Sequence, residues 1–299
     1  MAPLNDGQEI PLWPGTAPGS DGLHVQEAVT SRGPDPAHPD RCVTGISRPS
    51  LTAFVPEQPH AAALIVAPGG GYVREAIDKE GTDIARRFRS WGLTVFVLKY
   101  RLPCEGHQQA VNVPLQDAQR AVRLVRAHAA EWRLDPARII FMGFSAAGHM
   151  ASTLATRFAD PVYPIIDETD TVSARPDALV LGYPVISMED GVAHPGTRAA
   201  LLGPSPDRAS QAAASTDHRV TKESPPTFLF LASDDAVVPP EHGLRYYRAL
   251  LHAGVPAELH VYAQGKHGFA LRTAALPAAA WPRTLWAWLA SLGMVPRAK

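Results

Sequence analysis

The sequence predicts an α/β fold: a mostly parallel central sheet with helices on both faces. Three observations lead there. Short, continuously apolar segments bounded by turn residues read as strands buried on both faces. Stretches between them repeat apolar residues at i, i+3 and i+4, the helical period. The two kinds alternate along most of the chain, which implies right-handed crossovers between parallel strands.

Residues 1–55 come first and are dense in proline, glycine and aspartate (PLWPGTAPGSDG, then RGPDPAHPD). Such residues break regular structure, so this lead-in is expected to be extended and turn-rich, with an edge strand or two. AALIVA at 62–67 is the first buried strand, and DIARRFRSWG at 83–92 the first helix, with Ile84, Phe88 and Trp91 on one side. TVFVLKY at 94–100 is the next strand. PLQDAQRAVRLVRAHAAEW follows as a helix whose stripe is Ala118, Ala121, Val122, Val125, Ala129 and Trp132. RIIFMGF leads into a helix starting near Ser145. ALVLGYP at 178–184, TFLFLAS at 227–233 and AELHVYA at 257–263 are three further strands. EHGLRYYRALLHAG lies between the last two as a helix, and AAAWPRTLWAWLASLG closes the chain as another. No repeat or charged linker divides the sequence, so residues 1–299 read as one domain. Residues 185–226 lack strand pattern and read as an insertion, a cap or lid over a site.

The 299 residues suffice for a sizeable core, and a formal net charge of −1 without any dense run of lysine and arginine gives no reason to expect nucleic acid or anionic lipid as a partner. No segment approaches the roughly 20 apolar residues that span a bilayer, so no membrane is expected. The N-terminal MAPLNDGQEIPLWPG has no basic patch followed by a long apolar stretch, and so does not read as a secretory signal. Cys42 and Cys104 are too few for a disulfide framework or a zinc site and read as reduced thiols. The expected location is cytoplasmic. There is no HExxH, no CxxC and no carboxylate cluster, so no metal and no cofactor is expected; oligomeric state is not legible.

Ligands of a parallel sheet sit at the carboxyl ends of its strands. Ser145, in FMGFSAAGHMA, falls between a strand and a helix, among small residues. A sharp turn there exposes the hydroxyl and points it at the free N–H groups of the helix start. The plainer reading is a helix cap. A nucleophilic serine needs a base, and the base an orienting acid, in the chain order serine, acid, histidine for this type of fold. Asp234 and Asp235 end TFLFLAS, and His267 follows AELHVYA in AQGKHGFAL. APGGGY at 67–72 ends the first buried strand, and its glycines let bare N–H groups approach an oxyanion. No Gly-Lys-Ser/Thr follows, which argues against a phosphate cradle. Tyr72, beside the glycines, and Tyr183, ending ALVLGYP, are placed to line an acyl or sugar pocket. His149, about one helical turn beyond Ser145, is expected to pack beneath the turn.

VAPGGGYVREAIDKEG, VFVLKYRLP, the segment from PLQDAQRAVRL to FMGFSAAGHMAS, and the segment from SDDAVVPPEHG to YAQGKHGFAL together resemble the α/β-hydrolase serine esterases. More narrowly, they are similar to bacterial sugar-ester hydrolases of the acetyl xylan esterase and feruloyl-esterase-like kind. The resemblance runs from about residue 62 to 272 and includes PLWPGTAPG. It implies Ser145 as nucleophile and His267 as base. It selects Asp235, in DAVVP, over Asp234 as the acid. It further implies an oxyanion hole from the N–H groups of Gly70 or Gly71 with that of Ala146. Pro68 stands where related esterases have histidine, and Ala147 where the usual elbow has glycine. The implied function is cofactor-free hydrolysis of short-chain acyl esters, acetylated sugars or xylan oligosaccharides first, through an acyl-enzyme. Alternatives are a general carboxylesterase or peptidase-like hydrolase on the same scaffold, and a non-catalytic binding protein of this fold.

Overall fold

The computed structural model describes residues 4–36 and 38–297. In chain order the elements are β1 (Glu9–Pro11), β2 (Ala28–Ser31), β3 (Arg41–Thr44), β4 (Ser50–Phe54), β5 (Ala63–Ala67), α1 (Asp83–Arg89), β6 (Thr94–Lys99), α2 (Val113–Ala127), β7 (Ile139–Phe144), α3 (Ser145–Arg157), β8 (Ala178–Gly182), α4 (Pro195–Leu202), α5 (Arg208–Ala214), β9 (Thr227–Ala232), α6 (Glu241–His252), β10 (Ala257–Tyr262) and α7 (Trp281–Ser291).

Eight strands form one sheet in the order β1-β4-β6-β5-β7-β8-β9-β10. The last six run parallel; β4 pairs antiparallel with both β1 and β6. The buried strands alternate their side chains between the two faces, as a period of two requires. Ile65, Phe96, Phe141, Leu179 and Leu229 pack with α2, α3 and α6. Leu64, Val95, Ile140, Val180 and Phe230 pack with α1 and α7, where Phe230 stacks on Trp281 at 4.2 Å. All six residues of the expected α2 stripe are buried, although the helix itself ends at Ala127 and the last two lie in the turns beyond.

The chain steps from β5 outward to β6, then returns to place β7 on the other side of β5. At such a reversal the loops leaving the two strands diverge and open a crevice at their carboxyl ends. The loop after β5 is the glycine run, and the residue after β7 is Ser145. The topology therefore brings these two motifs together at one spot.

Two parts of the lead-in bear on that spot. β1 and β4 extend the sheet, β1 as an edge strand and β4 inside it, between β1 and β6. β2 and β3 form a separate ribbon held to the segment after the glycine run. Val43 bridges Glu75, and Arg41 binds the Asp78 carboxylate through its backbone N–H and both sides of its guanidinium fork. No helix among the described residues is long and apolar enough to cross a membrane.

Candidate active site

β7 ends in an extended Phe144, and α3 starts at once with Ser145 at φ 53°, a left-handed backbone that non-glycine residues rarely adopt. The strain persists because the surroundings fix it. The Ser145 carbonyl accepts from the Val185 N–H at 2.9 Å, and a Cβ on Gly143 would lie 2.2 Å from the Ala147 carbonyl oxygen. Gly143, on the strand side, thus makes room for the tight turn. Ala147 carries its methyl fully buried in the core.

The Ser145 Oγ stands 2.8 Å from His267 Nε2, and His267 Nδ1 stands 2.8 Å from Asp235 Oδ2. A carboxylate acceptor puts the imidazole hydrogen on Nδ1 and leaves Nε2 to accept from the serine hydroxyl. The other Asp235 oxygen accepts the N–H groups of Val237 and Val238, both at 2.9 Å. The neighbouring Asp234 turns away and accepts the N–H groups of Gly265 and Lys266 at 2.9 and 2.8 Å. Ser145 and Asp235 are buried, and the His267 side chain is 19% exposed.

The glycine run passes so close to the serine turn that a Cβ on Gly69 would stand 2.6 Å from the Phe144 carbonyl and 2.8 Å from Ser145 Cβ. The Gly69 N–H is already bound, donating to Glu80 Oε2 at 2.9 Å. Gly70 and Gly71 line the same cavity of about 260 Å³ as Ser145 and His267. Ala146 lies in the first turn of α3, where N–H groups have no intrahelical acceptor.

The two tyrosines stand elsewhere than on that cavity wall. Tyr183 is buried, its ring 5.2 Å from the His267 ring, and its hydroxyl donates to Glu80 Oε1 at 2.8 Å. Tyr72 is buried too; its hydroxyl donates to His149 Nδ1 at 3.0 Å, and it borders a separate cavity of about 460 Å³. His149 does pack inside, and its Nε2–H donates to the Ala214 carbonyl at 2.7 Å. Burial pushes the His149 pKa down to about 4.

Several wall residues carry no signal in the sequence. Glu80 ties the glycine run to Tyr183, a partner 103 positions away. Residues 185–226 contribute His194 and Gly196 to the wall, and Arg32 reaches it from beyond β2. His194 Nδ1 accepts from the Thr197 N–H at 3.1 Å, and burial, with His267 nearby, lowers its pKa. The buried pair Arg101–Asp117 holds framework instead: Asp117 takes the Arg101 guanidinium at 2.8 Å and the Trp13 indole N–H at 2.9 Å.

A strained serine at a strand–helix turn, a histidine and an aspartate on following strand ends, and a glycine run across the crevice define an α/β-hydrolase of the serine-esterase class. Within it, the BD-FAE family model matches residues 53–250, and the chain belongs to that family. The acetyl ester-xyloside bifunctional hydrolase from Caldicellulosiruptor lactoaceticus is 35% identical and superposes with a TM-score of 0.80 over 99% of each chain. The carboxylesterase Cest-2923 from Lactobacillus plantarum WCFS1 gives 0.71 at 26% identity, over 92% of this chain and 100% of that one. The acetylxylan esterase of Xylanibacter ruminicola is 33% identical over 227 residues, 75% of this chain and 44% of that protein. The chain thus spans less than half of that relative's length.

Proposed function

We propose that this protein hydrolyses short-chain acyl esters, acetylated sugars or xylan oligosaccharides foremost, through a covalent acyl-enzyme. The observation that carries the reading is the continuous chain Ser145–His267–Asp235, with both links at 2.8 Å. His267 Nε2 takes the Ser145 proton as Oγ attacks the ester carbonyl, and Asp235 holds the imidazolium that forms. The oxyanion meets the N–H groups of Gly70 or Gly71 and Ala146, each worth roughly 3–4 kcal/mol in the transition state. His267 then protonates the departing alcohol. A water, deprotonated by the same imidazole, releases the acid and restores Ser145.

The sugar-ester preference rests on the likeness to an acetyl ester-xyloside hydrolase and to an acetylxylan esterase. Turnover of 4-nitrophenyl acetate by wild type and Ser145→Ala tests the chemistry; kcat is expected to fall roughly a millionfold in the variant. Equal turnover by both would overturn it. Acetate release from acetylated xylo-oligosaccharides, set against simple aryl esters by kcat/KM, tests the substrate.

A further inference from the structure

The cavity at Ser145 is uneven in charge. Arg32, Arg74 and Lys79 line it, against the single carboxylate of Glu80. Both Glu80 oxygens are occupied, one by the Gly69 N–H and one by the Tyr183 hydroxyl. Behind the wall, Asp235 is committed to His267 and two backbone N–H groups. Glu75 does not line the cavity; it is buried behind it and accepts the Tyr100 N–H.

The three cations are not equally engaged. Arg32 binds Asp40. Among the described residues, Arg74 and Lys79 make no ion pair with any carboxylate. Arg74 is exposed, while Lys79 is half-buried with its Nζ against Gly268, the residue after the base. A Cβ on Gly268 would come within 3.1 Å of that nitrogen. The three also cluster: burial raises the pKa of the Cys42 thiol, and all three cations pull it the other way. A Cβ on Gly268 would also lie 3.6 Å from Glu80 Oε1, so the Glu80 carboxylate is close to the Lys79 ammonium. Three cations still face this one carboxylate on the wall, an excess that a substrate anion can offset.

We propose that this site prefers esters whose alcohol portion carries a carboxylate: among acetylated sugars, those bearing a uronate. The proposal rests on the esterase reading above and names its substrate class. The alcohol side is part of the proposal. Ser145 is only 8% exposed, whereas Arg74 is exposed and the Arg32 side chain is 32% exposed. These cations are therefore placed to meet the part of a bound ester that reaches solvent, which for a short acyl group is the alcohol portion.

The test compares kcat/KM for 4-acetoxybenzoate and for its neutral methyl ester, each divided by its rate with hydroxide. Solvent-exposed charge pairs give roughly two- to fivefold each, so the wild-type ratio is expected to favour the carboxylate by roughly fivefold or more at low salt. Raising ionic strength from about 0.02 M to about 0.5 M should bring the ratio towards one, because the Debye length shrinks several-fold. Arg74→Gln with Lys79→Gln should lower the ratio likewise, and Arg74→Lys should keep it. A ratio at or below one in wild type, or a preference that salt leaves untouched, overturns the inference while the esterase reading stands. Failure to turn over either ester overturns both. The salt series uses wild type alone, so it decides even if the double variant does not fold. A uronate-bearing acetylated xylo-oligosaccharide should then outpace the unbranched one by a similar factor.

Discussion

Asp234 and Asp235 are chain neighbours whose carboxylates hold two different things. Asp235 Oδ2 receives His267 Nδ1–H at 2.8 Å, whereas Asp234 Oδ1 binds the N–H groups of Gly265 and Lys266, which lead into that histidine. One orients the ring and the other fixes the loop that carries it. Asp235→Asn is therefore expected to lower kcat roughly 10,000-fold, since an amide no longer enforces the tautomer that leaves Nε2 free. Asp234→Asn keeps an acceptor oxygen and should lose less than about tenfold, because only the loop's hydrogen bonds are perturbed. Steady-state kinetics on both variants decides; a larger loss from Asp234→Asn reverses the two roles.

The serine turn yields a prediction about space. A Cβ on Gly143 would stand 2.2 Å from the Ala147 carbonyl and 2.7 Å from Ala151 Cβ, both in the buried start of α3. Gly143→Ala must push the helix off the strand, an overpacking worth roughly 1–3 kcal/mol and a fall of about 3–10 °C in Tm. Ala147→Gly relaxes the same region but adds backbone freedom inside a helix, about 0.5–1 kcal/mol of destabilisation, with kcat within about threefold. Thermal melts beside kinetics separate the two effects. A stable, fully active Gly143→Ala would show that the strand does not set the turn.

What the sequence displayed follows from what each element buries. Five of the six parallel strands were legible because both faces are covered, leaving unbroken apolar runs such as TFLFLA; the edge strand β10, with no buried residue, shows instead the alternation of AELHVY. The ribbon strand β2 was not, because all four of its residues are exposed and carry no alternation. That Ser145, Asp235 and His267 meet was legible because the fold ties their order to strand ends. Tyr183 directly follows β8, and its backbone at φ 35° turns the ring against His267, Phe144, Phe230 and Phe269. Strand period says nothing about the residue just past a strand. Glu80 was invisible for a different reason: its role lies in contacts made across 11 and 103 positions.

Those two contacts make Glu80 a positioning residue. It holds the Gly69 N–H with one oxygen and, through Tyr183, braces the His267 ring with the other. Glu80→Ala frees both at once, and displacements approaching 1 Å at a reacting centre lower rates by up to roughly 100-fold. The expected result is a 10- to 100-fold fall in kcat with KM changed far less. Tyr183→Phe removes only one of the contacts and should fall by less than about tenfold. Equal effects on kcat and KM, or a folded Glu80→Ala at full rate, would assign Glu80 to packing alone.

Acid should weaken the fold through the histidine under the serine helix. His149 is sealed in, accepting from the Tyr72 hydroxyl and donating to the Ala214 carbonyl, and burial lowers its pKa from 6.5 to about 4. Between those values the unfolded chain binds a proton that the folded chain refuses. Stability therefore rises with pH across the window and is lost as pH falls through it, by up to about 1.4 kcal/mol per unit for this one group. His242 adds the same sign, since burial also brings its pKa to about 4. Glu75, Glu105 and Asp217, raised by burial, act in the opposite direction. A comparison with His149→Gln cancels these shared contributions. Denaturant unfolding from pH 7.5 down to about 4.5 should show wild type losing its advantage over the variant as acid is added. A stability difference that stays constant over that range would mean that the His149 ring takes up its proton in the folded protein as readily as in the unfolded chain.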